Sequence, residues 1–342
     1  MTDKTKKFLI TWLITACTLI FVMVIIGGIT RLTHSGLSIV EWKPLMGTLP
    51  PMNQATWHEK FELYKQFPEF QKLNSDMTLT EFKTIFFWEY LHRTIGRLIG
   101  LVFLIPFSVM IVLKKLDSKW IKRLLIMFIL GALQGILGWF MVKSGLVENP
   151  YVSHYRLAAH LILAFILMGY IFWSIMDLLQ PGERMNGSRS MISLSWIFLG
   201  LVLVQVKIGA FTAGLKAGFA FNTFPKMGDN WLPPGSFALT PALRNFSDNP
   251  FFVQFLHRTI GWILLVYISF VWYLLRNQTQ SVHQSNALKM VSTWIIIQFL
   301  LGVLTLILVV PLSFAILHQV GSMILFLLSL YWIRTQLYNE SK

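Results

Sequence analysis

Four histidines lie within long apolar stretches of the sequence, and they are the residues best suited to do chemistry. These are His92, His160, His257 and His318. Polar side chains inside membrane-spanning segments cost free energy and are usually kept for a function. Two neutral imidazoles on neighbouring helices can ligate one haem iron from both faces, whereas zinc or copper usually needs further His, carboxylate or thiolate ligands. We therefore predict haem ligation by these residues, with hydrogen-bonded structural histidines as the alternative.

The histidines occupy equivalent places in two copies of a longer pattern. Residues 86–96 (FFWEYLHRTIG) recur at 251–261 (FFVQFLHRTIG), with eight of eleven positions identical. Three further markers keep the same order in both copies: Gly27 and Gly209, Gln134-x-x-x-Gly138 and Gln298-x-x-x-Gly302, and His160 and His318. An even number of spans per copy would give both the same orientation, related by an axis along the membrane normal.

The two copies differ in the charge around their histidines. Glu89 lies three residues before His92, whereas Gln254 holds the equivalent position before His257. Two arginines of the first copy are also replaced, Arg97 by Trp262 and Arg156 by Phe314. This asymmetry indicates that the N-terminal half holds the chemistry and the C-terminal half holds a fixed haem.

The residues beside the histidines each have two interpretations. A carboxylate at Glu89 predicts proton transfer, or else a structural ion pair with an arginine of the first copy. Arg93 and Arg258 predict planar contacts with haem propionates, or else snorkelling to lipid headgroups. Gly96 and Gly261, one turn after a histidine, favour close approach of a flat macrocycle or close helix packing.

Membrane-spanning helices are the elements that must position these residues. The 342 residues are 55% hydrophobic and 13% charged, with a mean hydropathy of +0.61, which a soluble protein of this length could not bury. Apolar stretches long enough to cross about 30 Å of hydrocarbon cover 8–29, 84–113, 124–142, 157–178, 191–211, 251–275, 287–310 and 313–333.

We therefore predict an all-α membrane protein with eight transmembrane helices in two pseudo-symmetric four-helix bundles. The N-terminal repeat would cover 1–180 and the C-terminal repeat 181–342. In the longest connection, 56–73 predicts one short surface helix, and the Gly-, Pro- and Trp-rich loops at 31–83 and 219–234 predict an ordered cap over the helix ends.

The distribution of charge predicts the topology. The net charge of +14 comes from Lys and Arg in the short connections and termini on one side, while the longer opposite loops are nearly balanced. This asymmetry follows the positive-inside rule and places both termini in the cytoplasm. It gives no reason to expect a nucleic-acid partner. All four histidines would then lie in the external third of the membrane.

Five short motifs form a specific combination along nearly the whole chain. They are GGxTRLTxSGLS at 27–38, EWxP at 41–44, EYxHR at 89–93, NTFP at 222–225 and HR at 257–258. With these motifs the sequence resembles the haem A synthase family, in the branch that includes alphaproteobacterial and mitochondrial enzymes.

The resemblance implies oxidation of haem O to haem A, in which the C8 methyl becomes a formyl group through successive hydroxylations and loss of water. It implies a haem b with axial His257 and His318. It also implies a substrate haem O flanked by His92 and His160, with Glu89 close to the reacting centre. The catalytic residues would therefore be Glu89, His92 and His160.

The resemblance also implies candidate partners and a location. These partners are haem O synthase, assembly factors of cytochrome c oxidase and an electron-transfer partner that the sequence does not identify. Some bacterial members carry a cysteine pair in an external loop, but Cys17 is the only cysteine here, so a mechanism that uses such thiols is excluded. The first residues have no transit-peptide character, which favours a bacterial inner membrane over a mitochondrial one.

Two other functions share the predicted architecture. A dihaem b-type cytochrome would carry electrons across the bilayer, but the predicted position of all four histidines on one side argues against it. A haem carrier without chemistry would not need a carboxylate such as Glu89 in one half alone.

Overall fold

Eight long helices dominate the computed structural model, which describes residues 1–41, 50–145, 150–179, 189–276, 278 and 280–338. Within those residues, eight helices are long and apolar enough to cross a membrane. They are α1 (Asp3–Leu32), α4 (Leu79–Val112), α5 (Ser118–Gly145), α6 (His154–Leu179), α7 (Arg189–Gly214), α9 (Pro250–Leu275), α10 (Val282–Ile307) and α11 (Leu312–Leu337). Each overlaps one predicted apolar stretch, so the prediction of an all-α protein with eight transmembrane helices is confirmed.

Polar residues at the helix starts explain where several spans begin. Thr78 and Glu81 form a reciprocal capping box at α4, and Ser281 and Gln284 form another at α10. Such boxes satisfy backbone N–H groups that have no partner within the helix. Asn249 caps α9, and Pro250 occupies its first turn, where the missing proline N–H costs nothing.

The first compact unit covers Met1–His160. In it α1 packs along α4, and α4 also contacts α5. The Trp12 indole N–H donates to the carbonyl of Val102 at 2.8 Å, which ties α1 to α4 far from the histidines. The division from the second unit, Leu161–Lys342, falls inside α6, whereas the boundary between sequence repeats at 180/181 stays a prediction.

The connection between α1 and α4 corrects one expectation. Two helices, α2 (Gln54–Lys65) and α3 (Pro68–Leu73), replace the single helix predicted over 56–73. Pro68 has no backbone N–H and restricts the preceding Phe67 to an extended conformation, so a continuous helix is broken there.

An aromatic cluster fixes this connection on the start of α4. Phe61, Tyr64, Phe82 and Phe86 are buried together. The Tyr64 hydroxyl donates to the carboxylate of Glu69 at 3.1 Å and accepts from an amide at 2.8 Å. Burial, reinforced by the Glu69 charge, raises the pKa of the Tyr64 phenol, so the donor stays protonated. The predicted cap over the helix ends stays a prediction.

In the second unit α7 packs along α9, α10 packs along α11, and α7 also contacts α11. The later part of α6 belongs to this unit, and Arg334 forms an ion pair of 2.6 Å there with Asp177. The loop between α7 and α9 carries the short helix α8 (Asn245–Asp248). Asn245 and Asn249 bind its backbone carbonyls at 2.7–3.1 Å, which gives the loop a defined shape.

Candidate functional site

Each of the four intramembrane histidines lies against a glycine of a neighbouring helix. A Cβ atom added to the glycine would come within 2.8–3.3 Å of Cε1 of the imidazole, closer than a side chain normally permits. The pairs are Gly27–His92, Gly138–His160, Gly209–His257 and Gly302–His318. The imidazole rings therefore occupy space that only glycine leaves open.

The burial of the imidazoles argues against purely structural histidines. The Nδ1 atoms of His92, His160 and His257 are buried and find no hydrogen-bond partner among the residues that the structure describes. Buried polar groups are normally hydrogen-bonded, because leaving them unsatisfied costs free energy. Their burial is therefore not explained by hydrogen bonding of Nδ1. Ligation of a metal through Nε2, the other ring nitrogen, would explain it.

Glutamine side chains tie three of the histidine backbones to the neighbouring helix. The side-chain amide donates to the histidine carbonyl in each case: Gln134 to His160 at 3.0 Å, Gln205 to His257 at 2.9 Å, and Gln298 to His318 at 2.8 Å. Each glutamine lies four residues before the glycine that faces the same histidine. The Gln-x-x-x-Gly pair is thus a histidine-holding motif: its glutamine holds the backbone and its glycine accommodates the ring.

The third copy of this motif was missed in the sequence. Gln205-x-x-x-Gly209 has the required spacing, but its counterpart in the first repeat reads Met23-x-x-x-Gly27, so the comparison of repeats matched only the glycines. Searching for Gln-x-x-x-Gly by itself would have found it.

His257 and His318 form the pair with the clearest geometry. Their ring centroids lie 6.2 Å apart and the ring planes are nearly perpendicular, at 87°. Two metal–nitrogen bonds of about 2 Å and two half-rings of about 1 Å add to about 6 Å. No group of three or more His, Cys, Asp or Glu among the described residues could hold a metal ion. The donor set therefore fits an iron whose other ligands come from a macrocycle.

In the first unit, Glu89 holds the loop that follows α1. The residue is only 3% exposed. One oxygen accepts from the hydroxyl of Ser38 and from the N–H of Ile39, both at 2.7 Å. The other oxygen pairs with Arg93 at 2.6 Å. The ion-pair interpretation of Glu89 is thus present in the structure, with Arg93 as its partner.

Arg93 completes the same attachment. Its guanidinium donates to the carbonyls of Ile39 at 2.7 Å and Glu41 at 3.2 Å. The loop beside His92 is therefore fixed by both charges of the pair. The EWxP motif begins at Glu41, but its Trp42 and Pro44 lie outside the described residues.

The second unit attaches its equivalent loop with an arginine and, in place of Glu89, a neutral glutamine. Gln254 and Arg258 both donate to the carbonyl of Phe221, at 2.9 and 2.8 Å. Arg258 also donates to the carbonyls of Thr223 at 2.8 Å and Lys226 at 3.2 Å. Both His-Arg motifs thus direct the arginine to loop carbonyls, which neither sequence interpretation anticipated.

The remaining differences between the repeats have separate local roles. Trp262, which replaces Arg97, stacks on Phe224 with a centroid distance of 5.9 Å. Arg156 donates to the carbonyl of Phe140 at 2.6 Å and lies over that ring at 3.7 Å. Neither contact reaches a histidine.

Gly96 and Gly261 support the packing interpretation. A Cβ at Gly96 would lie 3.5 Å from Cε of Met23, and one at Gly261 would lie 3.7 Å from Nε2 of Gln205. These are ordinary van der Waals distances, so both glycines face a neighbouring helix at equivalent positions.

Comparison with known proteins shows the family of the chain. Residues 10–330 match the family described as cytochrome oxidase assembly protein. The curated protein named heme A synthase from Nitrosospira multiformis is 47% identical over 98% of this chain and 95% of its own length. That from Nitrosomonas eutropha is 46% identical over 94% and 92%, and that from Paracoccus denitrificans 39% over 93% and 85%.

Proposed function

The chain belongs to the cytochrome oxidase assembly protein family, and on that premise we propose how its own residues carry out the oxidation of haem O to haem A. The protein is a multi-pass membrane oxidoreductase that oxidises the C8 methyl of haem O to a formyl group by successive hydroxylation. Its product serves the assembly of cytochrome c oxidase. The assignment of residues to roles is our proposal.

His257 and His318 hold a resident haem b in the second unit. The observation that supports this assignment most strongly is the 6.2 Å separation of their rings, at which both imidazoles would be able to hold one haem iron. A haem bound there supplies a one-electron redox couple. The residues themselves fix the ring positions, through Gly209 and Gly302, and the backbone, through two glutamine amides.

His92 and His160 flank the substrate haem O in the first unit. Each has the same contact with a glycine of a neighbouring helix, Gly27 and Gly138. Glu89 and Arg93 fix the loop beside His92. A fixed loop beside His92 would help to orient a bound substrate, which supports catalysis by positioning.

Two roles of charged residues stay predictions. Proton transfer by Glu89 and propionate binding by Arg93 and Arg258 are compatible with their place beside the histidines, but the hydrogen bonds support a role in holding the loops. We therefore treat Glu89 as a positioning residue in this proposal.

The charge asymmetry supports a topology with both termini in the cytoplasm, and the bacterial inner membrane is the proposed location. In that topology all four histidines would lie toward the external side. Haem O synthase, oxidase assembly factors and an electron-transfer protein are the proposed partners, and the bilayer lipid surrounds the eight helices.

Identification of the haems tests the proposed function directly. The chain would be co-expressed with a haem O synthase in a host that makes no haem A, and extracted haems would be identified by mass. We expect haem A or its hydroxymethyl intermediate. A folded, haem-loaded protein that yields only haem B and haem O would instead favour the cytochrome or carrier function.

Gly302→Ala tests the contact between glycine and imidazole. The new Cβ would meet Cε1 of His318 at 2.8 Å, so the ring must move, and we expect haem b content to fall severalfold. Gly200→Ala is the matched control, because nothing lies within 4 Å of its added Cβ and alanine favours the helix. Pyridine haemochrome spectra of both purified variants provide the measurement. Equal haem content in the two would contradict the role of Gly302.

A further inference from the structure

Met23 and Gln205 occupy the same place in the two units but differ in what they can bind. Each lies four residues before the glycine that faces a histidine, Gly27 or Gly209. Each also packs against the glycine one turn after the histidine: Met23 against Gly96 and Gln205 against Gly261. Their equivalence therefore rests on packing as well as on the sequence repeat.

The chemical difference lies at the end of the side chain. The amide of Gln205 donates to the carbonyl of His257 at 2.9 Å, whereas the terminal methyl of Met23 has no polar hydrogen to donate. No side-chain hydrogen bond among the described residues reaches the carbonyl of His92. The helix of His92, α4, is bonded to α1 at the carbonyls of Trp88 and Val102, at 3.3 and 2.8 Å.

We propose that Met23 leaves His92 the least restrained of the four haem-binding histidines, so that the haem bound by His92 exchanges faster than the haem of the second unit. This inference rests on the proposed function, in which the haem of the first unit enters as substrate and leaves as product while the haem of the second unit stays. Both histidines of the second unit are held by glutamine, whereas the first unit holds only His160 in this way. The backbone carbonyl of His92 therefore lacks the side-chain restraint that the other three histidines have.

The two residues can be swapped between the units. Met23→Gln would supply the missing amide to His92, and Gln205→Met would remove the one at His257. Methionine and glutamine have similar length and volume, so both changes test the hydrogen bond rather than the packing. Met23→Leu is the control, because it changes the side chain without adding a donor.

The measurement is the rate of haem loss to excess apomyoglobin, followed by absorbance, from protein purified with haem O and haem B. His92→Ala identifies the phase that belongs to the first unit. We expect Met23→Gln to slow that phase about threefold to tenfold, as one added hydrogen bond would do. Gln205→Met should speed the other phase by a similar factor, and Met23→Leu should leave both unchanged.

The outcomes separate this inference from the proposed function. If His92→Ala removes one phase but Met23→Gln matches Met23→Leu, the role of Met23 is wrong and the histidine assignment stands. If His92→Ala leaves both phases, the histidine assignment fails and the inference fails with it. A purely structural hydrogen bond would raise the thermal midpoint of Met23→Gln without slowing haem loss, which would also overturn the inference.

Discussion

His257→Ala is expected to remove the b-type haem spectrum from the purified protein almost completely, while the chain still inserts and folds. His257 supplies one of two imidazoles whose rings lie 6.2 Å apart. Without the His257 imidazole, His318 alone would hold the haem, and Gly209 would face an empty space where the ring was. We expect haem b occupancy to fall at least tenfold, measured by reduced-minus-oxidised absorbance and haem-to-protein ratio.

Added imidazole separates loss of a ligand from loss of the fold. The space left by the side chain is large enough for free imidazole, so millimolar imidazole should restore part of the low-spin spectrum in His257→Ala. His283→Ala is the matched control, because His283 is exposed at the start of α10. A normal b-type spectrum in His257→Ala would overturn the assignment of haem b to the second unit.

The spans and histidines could be predicted because local composition determines them. A run of about 20 apolar residues is sufficient to define a transmembrane helix, and a histidine inside such a run is conspicuous. Helix breaks depend on finer local signals, which is why Pro68 was underestimated when one helix was predicted over 56–73. That signal was present in the sequence.

The contacts of Glu89 could not be predicted from the sequence. Ser38 and Ile39 lie about fifty residues away along the chain, and only the packing of α1 on α4 brings them to the carboxylate. The sequence limited the partner of Glu89 to a few arginines, and the structure contains the pair with Arg93. The sequence repeat drew attention to Glu89 because Gln254 replaces it in the second copy. The structure adds that each of these residues bonds the loop beside its histidine, Glu89 as an acceptor and Gln254 as a donor.

Glu89→Gln is expected to lower haem A formation about a hundredfold while haem b content stays normal. The carboxylate accepts from Ser38 and Ile39 through one oxygen and pairs with Arg93 through the other. A glutamine must turn its NH₂ group toward one of these donors, so either the loop or the arginine loses its contact. A reactant misplaced by about 1 Å can lose about a hundredfold in rate. The measurement is the rate of haem A formation, divided by the haem b content of the same preparation.

Ser38→Ala separates positioning from proton transfer at Glu89. It removes one hydrogen bond of 2.7 Å to the carboxylate and leaves the carboxylate itself intact. If Glu89 acts by holding the loop, Ser38→Ala should lower activity about fivefold to tenfold; if Glu89 transfers a proton, activity should stay near that of the unchanged protein. Glu62→Gln, at an exposed ion pair with Lys65, controls for the substitution itself. Full activity in Glu89→Gln would exclude both roles, because neither the loop contact nor a proton at this carboxylate could then be needed for the oxidation.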